Sequence, residues 1–170
     1  MIVTAIDPGP KESAIVWYDG EANRVITAQE LDNDDLLMHL RAIRKDDRHP
    51  LRYDHLIVER VDSFGLRGGV ALMETAFWAG RFVEAGCGQA MGRKAVKLHL
   101  CGSSATGDAD VRKAVSYRWG TDLKKVRGTK QEPGPLFGIT GHKMSALAVA
   151  VVWAEKNAMD KRLAKTTNNG

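Results

Sequence analysis

Apolar positions along this chain recur in two rhythms, the short one of strands and the longer one of helices. Residues 1–7 (MIVTAID) form an apolar run that ends on Asp7 and stops at the turn residues Pro8, Gly9 and Pro10. A second run over 13–18 ends at Asp19-Gly20, a hairpin signal, and 24–29 reads as the returning strand. Residues 32–45 predict a helix, with Asp32 or Asn33 as its cap and Leu36, Leu37, Leu40 and Ile43 as its stripe. Residues 55–59 (HLIVE) are a short buried strand that again ends in an acid, Glu59. The helix predicted over 68–85 is apolar around much of its girth, through Val70, Leu72, Met73, Phe77, Trp78, Phe82 and Val83. Such a helix needs cover on more than one side, from the sheet and from a second subunit.

Residues 94–100 (KAVKLHL) alternate polar and apolar and predict a fifth strand. A helix over 108–119 places Val111, Val115 and Trp119 on one face. Residues 120–140 hold Lys124, Lys125, Arg127 and Lys130 among glycines and prolines, the pattern of a basic, mobile loop. A final helix rich in alanine and valine is predicted over 142–156, with a polar, frayed tail beyond about residue 161. The order βββ-α-β-α-β-α-α is a strand meander leading into right-handed crossovers. We read one α/β domain over 1–158 and a flexible tail over 159–170.

Composition narrows the class. The chain has 170 residues, 44% hydrophobic and 27% charged, the balance of an ordinary globular domain. No stretch approaches the roughly 18 apolar residues of a membrane span. The two cysteines, Cys87 and Cys101, lack metal-ligand spacing and read as reduced core thiols of a cytoplasmic protein. The net charge of +4 is unevenly spread. Residues 1–87 hold 10 Lys and Arg against 15 Asp and Glu, a net of −5, while 88–170 hold 15 against 6, a net of +9. A basic half beside buried acids suits a polyanionic partner, although the same cations also serve simply to solvate helices.

Three residues carry the candidate chemistry: Asp7 and Glu59, each at a strand end, and His142, at the start of the last helix. If the first and fourth strands are parallel neighbours, both carboxylates lie at the carboxyl edge of the sheet, where open α/β sheets place their sites. Two close carboxylates repel, and a divalent cation removes that penalty; all-oxygen sites suit Mg²⁺ or Mn²⁺. Each residue also has a plain structural role open to it. Asp7 precedes a Pro-Gly turn, Glu59 has Arg60 beside it for an ion pair, and His142 flanks a helix start.

The segments AIDPG, IVER and GHKMSALAVAVVW resemble the RuvC-type Holliday-junction resolvases, in that order along the chain. KLHLCGSSATGDADVRKAV and GTKQEPGPLFGITG look closer still to the small RuvC-like resolvases of bacteriophages. The resemblance covers about residues 1–155. It implies an RNase H-like α/β fold, a five-stranded mixed sheet of order 3-2-1-4-5 flanked by helices. It also implies a homodimer that resolves branched DNA by paired nicks, using two Mg²⁺ or Mn²⁺ ions per site. Carried over, Asp7, Glu59 and His142 become metal ligands. Ser145 stands where the better-known cellular members have an acid, which removes one carboxylate from the usual second-metal site. Asp108 is a candidate replacement acid and equally a helix N-cap, and Lys143 is a candidate contact to the scissile phosphate. Candidate DNA contacts are Arg60, Arg67, Arg93, Lys94, Lys97, Arg112, Lys113, Lys124, Lys125, Arg127 and Lys130. Phe64, after Glu59, sits where the family places an aromatic that stacks at the junction centre. Two alternatives retain the fold: an RNA-processing nuclease of the YqgF type, and a non-catalytic junction-binding protein.

Overall fold

The computed structural model describes residues 1–61 and 69–167, with side chains described as far as 164. The strands β1 (Ile2–Asp7), β2 (Glu12–Asp19) and β3 (Arg24–Asp32) form the antiparallel meander. Helix α1 (Asn33–Lys45) follows, and the Asp32 carboxylate caps it by accepting from the Asp34 amide. The chain crosses to β4 (His55–Arg60), which lies parallel to β1. Helix α2 (Val70–Gly86) leads to β5 (Gln89–Gly92), parallel to β4, giving the order β3-β2-β1-β4-β5. Helices α3 (Arg93–Cys101), α4 (Asp108–Ser116), α5 (Leu123–Arg127) and α6 (Gly141–Thr167) complete the chain.

Alternation along the strands divides the core between the two faces of the sheet. Val3, Ala5, Val16 and Ile57 pack with Leu147 and Val151 of α6 and Val111 and Val115 of α4. Ile6, Ile15, Trp17 and Val58 face the other way, against Leu36 and Leu40 of α1 and Phe82 of α2. The fully buried Trp17 keeps its indole N–H satisfied by donating to the Leu51 carbonyl at 2.9 Å. Each large apolar side chain so buried contributes about 1.5–3 kcal/mol. Both cysteines are free thiols, but neither is a core residue as expected: Cys87 is exposed at the left-handed cap that ends α2, and Cys101 is half-buried. Among the described residues no helix is long and apolar enough to cross a membrane.

The structure departs from the sequence reading in the second half. Residues 94–100 belong to α3 and are not a strand. KAVKLHL satisfies both periods, but Gly92 caps a helix and Gly102, at φ +73°, ends it in the left-handed conformation that glycine tolerates. Val96 is buried while Leu98, which alternation would also bury, is 58% exposed. The fifth strand is instead the four-residue β5, in which only Met91 is buried. The helix expected over 108–119 ends at Ser116 and tightens into a 3-10 turn, Tyr117–Trp119. The supposed mobile loop over 120–140 contains α5, capped by Asp122, and a Gly128–Pro133 bridge. The last helix continues beyond 156 to Thr167.

Gly128 shows how firmly that segment is built. Its backbone (φ +67°, ψ −166°) lies in a region essentially reserved for glycine. A Cβ there would run into the Gly134 amide nitrogen and the Glu132 carbonyl. Gly128→Ala is therefore expected to cost at least about 2 kcal/mol, lowering the melting temperature by roughly 5 °C or more in calorimetry. An unchanged melt would mean that the segment is pliable.

Candidate active site at the carboxyl edge of the sheet

Parallel pairing of β1 and β4 runs in register up to Ile6 opposite Val58. The next residue on each strand is an acid, so Asp7 and Glu59 emerge side by side at the carboxyl edge. The turn after Asp7 is pinned by buried polar groups. Ser13 Oγ donates to Asn33 Oδ1 at 2.6 Å, Asn33 Nδ2 donates to the Gly9 carbonyl, and the Gly9 amide donates to Ser13 Oγ. Helix α6 brings His142 to the same place, its Nδ1 lying 2.9 Å from Asp7 Oδ2. Ser145 stands one turn further along α6.

Arg93, the first residue of α3, stands beside Glu59 because β5 delivers it there. Its Nη1 donates to both Glu59 oxygens, at 2.8 and 3.1 Å, and its Nη2 reaches Asp108 Oδ1 at 2.9 Å. Lys97, one turn along α3, places Nζ 3.3 Å from the same Asp108 oxygen. Asp7, Glu59 and Arg93, with Pro8, Arg60, Val61 and Thr75, line a pocket of about 220 Å³.

Electrostatics follow from this packing. Burial, with the negative field of Asp7, pushes the Glu59 carboxyl up to about 7, against the opposing pull of Arg93. Burial likewise raises Asp7, although the hydrogen bond and charge of His142 lower it, as do Arg93 and Ser145. Asp108 behaves in the opposite way, held below the usual range chiefly by its hydrogen bond to Arg93. A pair of adjacent buried carboxylates, each destabilised when ionised, fits a cation. Each carboxylate oxygen offers two lone pairs, so Arg93 leaves Glu59 with acceptor capacity. Among the described residues no three of His, Cys, Asp and Glu cluster closely enough to cage an ion unaided. Mg²⁺ ordinarily relies on one or two carboxylates plus waters and substrate phosphate, and Asp7 and Glu59 suit that mode; His142 and Asp108, expected from sequence as further ligands, are engaged by Asp7 and by Arg93 and Lys97 instead.

The other sequence candidates divide into three groups. Asp108 starts α4 but does not cap it; Gly107 occupies the cap position and Asp108 is committed to Arg93 and Lys97. Arg93 and Lys97, read from sequence as DNA contacts, direct their charges inward to acids. The sequence carries no signal for this, since the acids they pair with lie on other elements. Arg60, Lys94, Arg112, Lys113, Lys124, Lys125, Arg127 and Lys130 are exposed, and Lys143 is half-buried next to His142. Phe64 and Arg67 lie outside the described residues.

The five-stranded mixed sheet, with its helices and acidic carboxyl edge, defines an RNase H-like fold of the RuvC kind. The chain superposes on Thermus thermophilus RuvC with a TM-score of 0.61 at 21% identity, covering 94% of this chain and 97% of the other. T. thermophilus RuvC in complex with a Holliday junction substrate gives a TM-score of 0.61 at 23% identity, covering 94% and 96%. Neither a scan against protein-family models nor a search of curated proteins returns a match.

Proposed function

We propose that this protein is a structure-selective DNA endonuclease that resolves four-way junctions by divalent-metal-dependent phosphodiester hydrolysis. The observation that carries the reading is the pairing of Asp7 and Glu59 at the sheet edge, with His142 hydrogen-bonded to Asp7. A fold shared with RuvC, one structure of which holds a Holliday junction substrate, supports the choice of DNA branch as substrate. A bound Mg²⁺ or Mn²⁺ supplies Lewis-acid polarisation of the phosphodiester and a more acidic water. The chain's own part is to hold two carboxylates in register, to steady Asp7 through His142, and to leave the exposed His142 facing solvent and substrate. The exposed cations of α3, α4 and α5 then position the DNA backbone, with Lys143 close to the scissile phosphate.

We further propose that two copies act together, placing paired nicks. Val70, Met73 and Phe77 of α2 are 72%, 68% and 62% exposed, an apolar face that a second copy would cover. Sedimentation at micromolar concentration is expected to show a dimer; a monomer would exclude paired cutting by a stable pair. Junction affinity is expected to fall steeply between 50 and 200 mM salt, as backbone-led binding does.

The direct test is incubation of the protein with a synthetic four-way junction, a linear duplex and a structured RNA, each with Mg²⁺, Mn²⁺, Ca²⁺ or chelator. Cleavage confined to the junction, with Mg²⁺ or Mn²⁺, is the expected result. Preferential cutting of RNA would favour the YqgF-type reading. Binding without cutting in every metal would leave a junction-binding protein.

A further inference from the structure

We propose that the Arg93 guanidinium serves as the second cation of this site, so that each chain takes one divalent ion, held by Asp7 and Glu59. The proposal rests on the nuclease reading above and specifies how its centre is charged. In a two-metal site each ion, besides acting on the substrate oxygens, would need carboxylates to hold it. Here one guanidinium occupies the carboxylates a second ion would need, binding Glu59 at the end of β4 through Nη1 and Asp108 at the start of α4 through Nη2. Its planar fork fits carboxylates, and it stays charged at every pH at which the protein folds.

Charge balance points the same way. Asp7, Glu59 and Asp108 bring three negative charges and Arg93 and Lys97 return two, leaving −1 before Arg60 of the same pocket is counted. One divalent ion already makes the cluster positive. A second would bring it to +3 or more and would crowd against the guanidinium. The ligands left for it are also few. With both its oxygens accepting from Arg93, Glu59 retains capacity for the first ion but little for another, and Asp108 is shared between Arg93 and Lys97. One turn along α6 from His142 stands Ser145, a hydroxyl and not a carboxylate. Arg93 is thus a positioning residue, setting how many ions the acids admit.

Counting bound Mn²⁺ by equilibrium dialysis, with free Mn²⁺ read by electron paramagnetic resonance, tests this without DNA or turnover. Wild-type protein is expected to bind one ion per chain. Arg93→Gln, which frees Glu59 and Asp108, is expected to bind two, and Arg93→Lys, which retains a cation, one. Two ions on the wild type, or none, would overturn the proposal and leave the nuclease reading to the junction-cleavage assay. One ion on both wild type and a folded Arg93→Gln would overturn the proposal as well. Should Arg93→Gln fail to fold, Asp108→Asn decides, since that side chain is on the surface. It is expected to retain one ion with affinity within about twofold of wild type, and loss of the ion would make Asp108 a ligand and refute the assignment.

Discussion

Asp7→Asn and Glu59→Gln are each expected to lose cleavage of a four-way junction by on the order of a thousandfold, with junction binding retained. A Lewis acid supplies several kcal/mol of transition-state stabilisation, and each 1.36 kcal/mol is tenfold in rate. Removing the charge of either carboxylate removes half of the pair that attracts the ion, while shape and hydrogen-bonding size persist. The surface cations of α4 and α5 lie on other elements and are untouched, so affinity measured by gel shift in Ca²⁺ or chelator should hold or rise slightly. Joint loss of binding and cleavage would mean that the substitutions damage the fold instead. Cleavage equal to wild type by both variants would remove these acids from the chemistry.

The second large effect is on pH. With Glu59 pushed up to about 7 in the metal-free protein, protons compete with cations below neutrality. Affinity for Mn²⁺ is expected to fall about tenfold per unit as pH drops below 7, as it must when one proton is displaced. Stability moves in the opposite sense. A carboxyl raised from 4.5 to about 7 favours folding fully below 4.5, and that contribution disappears as pH rises through 7. At pH 8 the ionised Glu59 therefore costs the chelated protein up to about 3 kcal/mol. Asp7, also raised, acts in the same direction. His39, whose charged form is disfavoured by burial and by His49, runs the other way, its contribution being lost as pH falls. The useful readout is thus a difference: the melting temperature of Glu59→Gln minus wild type, in chelator, should grow by several degrees from pH 5 to pH 8. A difference that is flat with pH would show that Glu59 titrates in the ordinary carboxylate range.

Much of the fold was legible because the first half is built from strongly patterned elements. The runs ending at Asp7 and Glu59 are nearly all buried, and the Leu36–Leu40–Ile43 stripe faces the core as its spacing requires. The strand order 3-2-1-4-5 came from the family resemblance, since periodicity does not say which strands pair. The fifth strand escaped notice because a four-residue edge strand with one buried side chain carries almost no hydrophobic signal. KAVKLHL, just beyond it, mimicked one by chance. The short helix α5 was hidden among glycines that read as loop, although Gly128 and Gly134 are there because backbone segments touch.

At the site, the adjacency of Asp7 and Glu59 was readable from strand ends, and the approach of His142 to Asp7 from a helix start. The role of Arg93 was not. A basic residue in a basic half reads as a surface contact, and only the geometry of β5 shows it turned inward onto Glu59 and Asp108. Sequence spacing brings residues to one edge of a sheet, but which acid a guanidinium chooses is decided by tertiary packing.

The account depends on a divalent ion settling between the acids that end β1 and β4. Anomalous diffraction from a crystal soaked in Mn²⁺ addresses this most directly. It should show a peak in contact with the carboxylates of both Asp7 and Glu59. An ordered Asp7–Glu59 edge without such a peak, while Mn²⁺ binds elsewhere on the molecule, would contradict it.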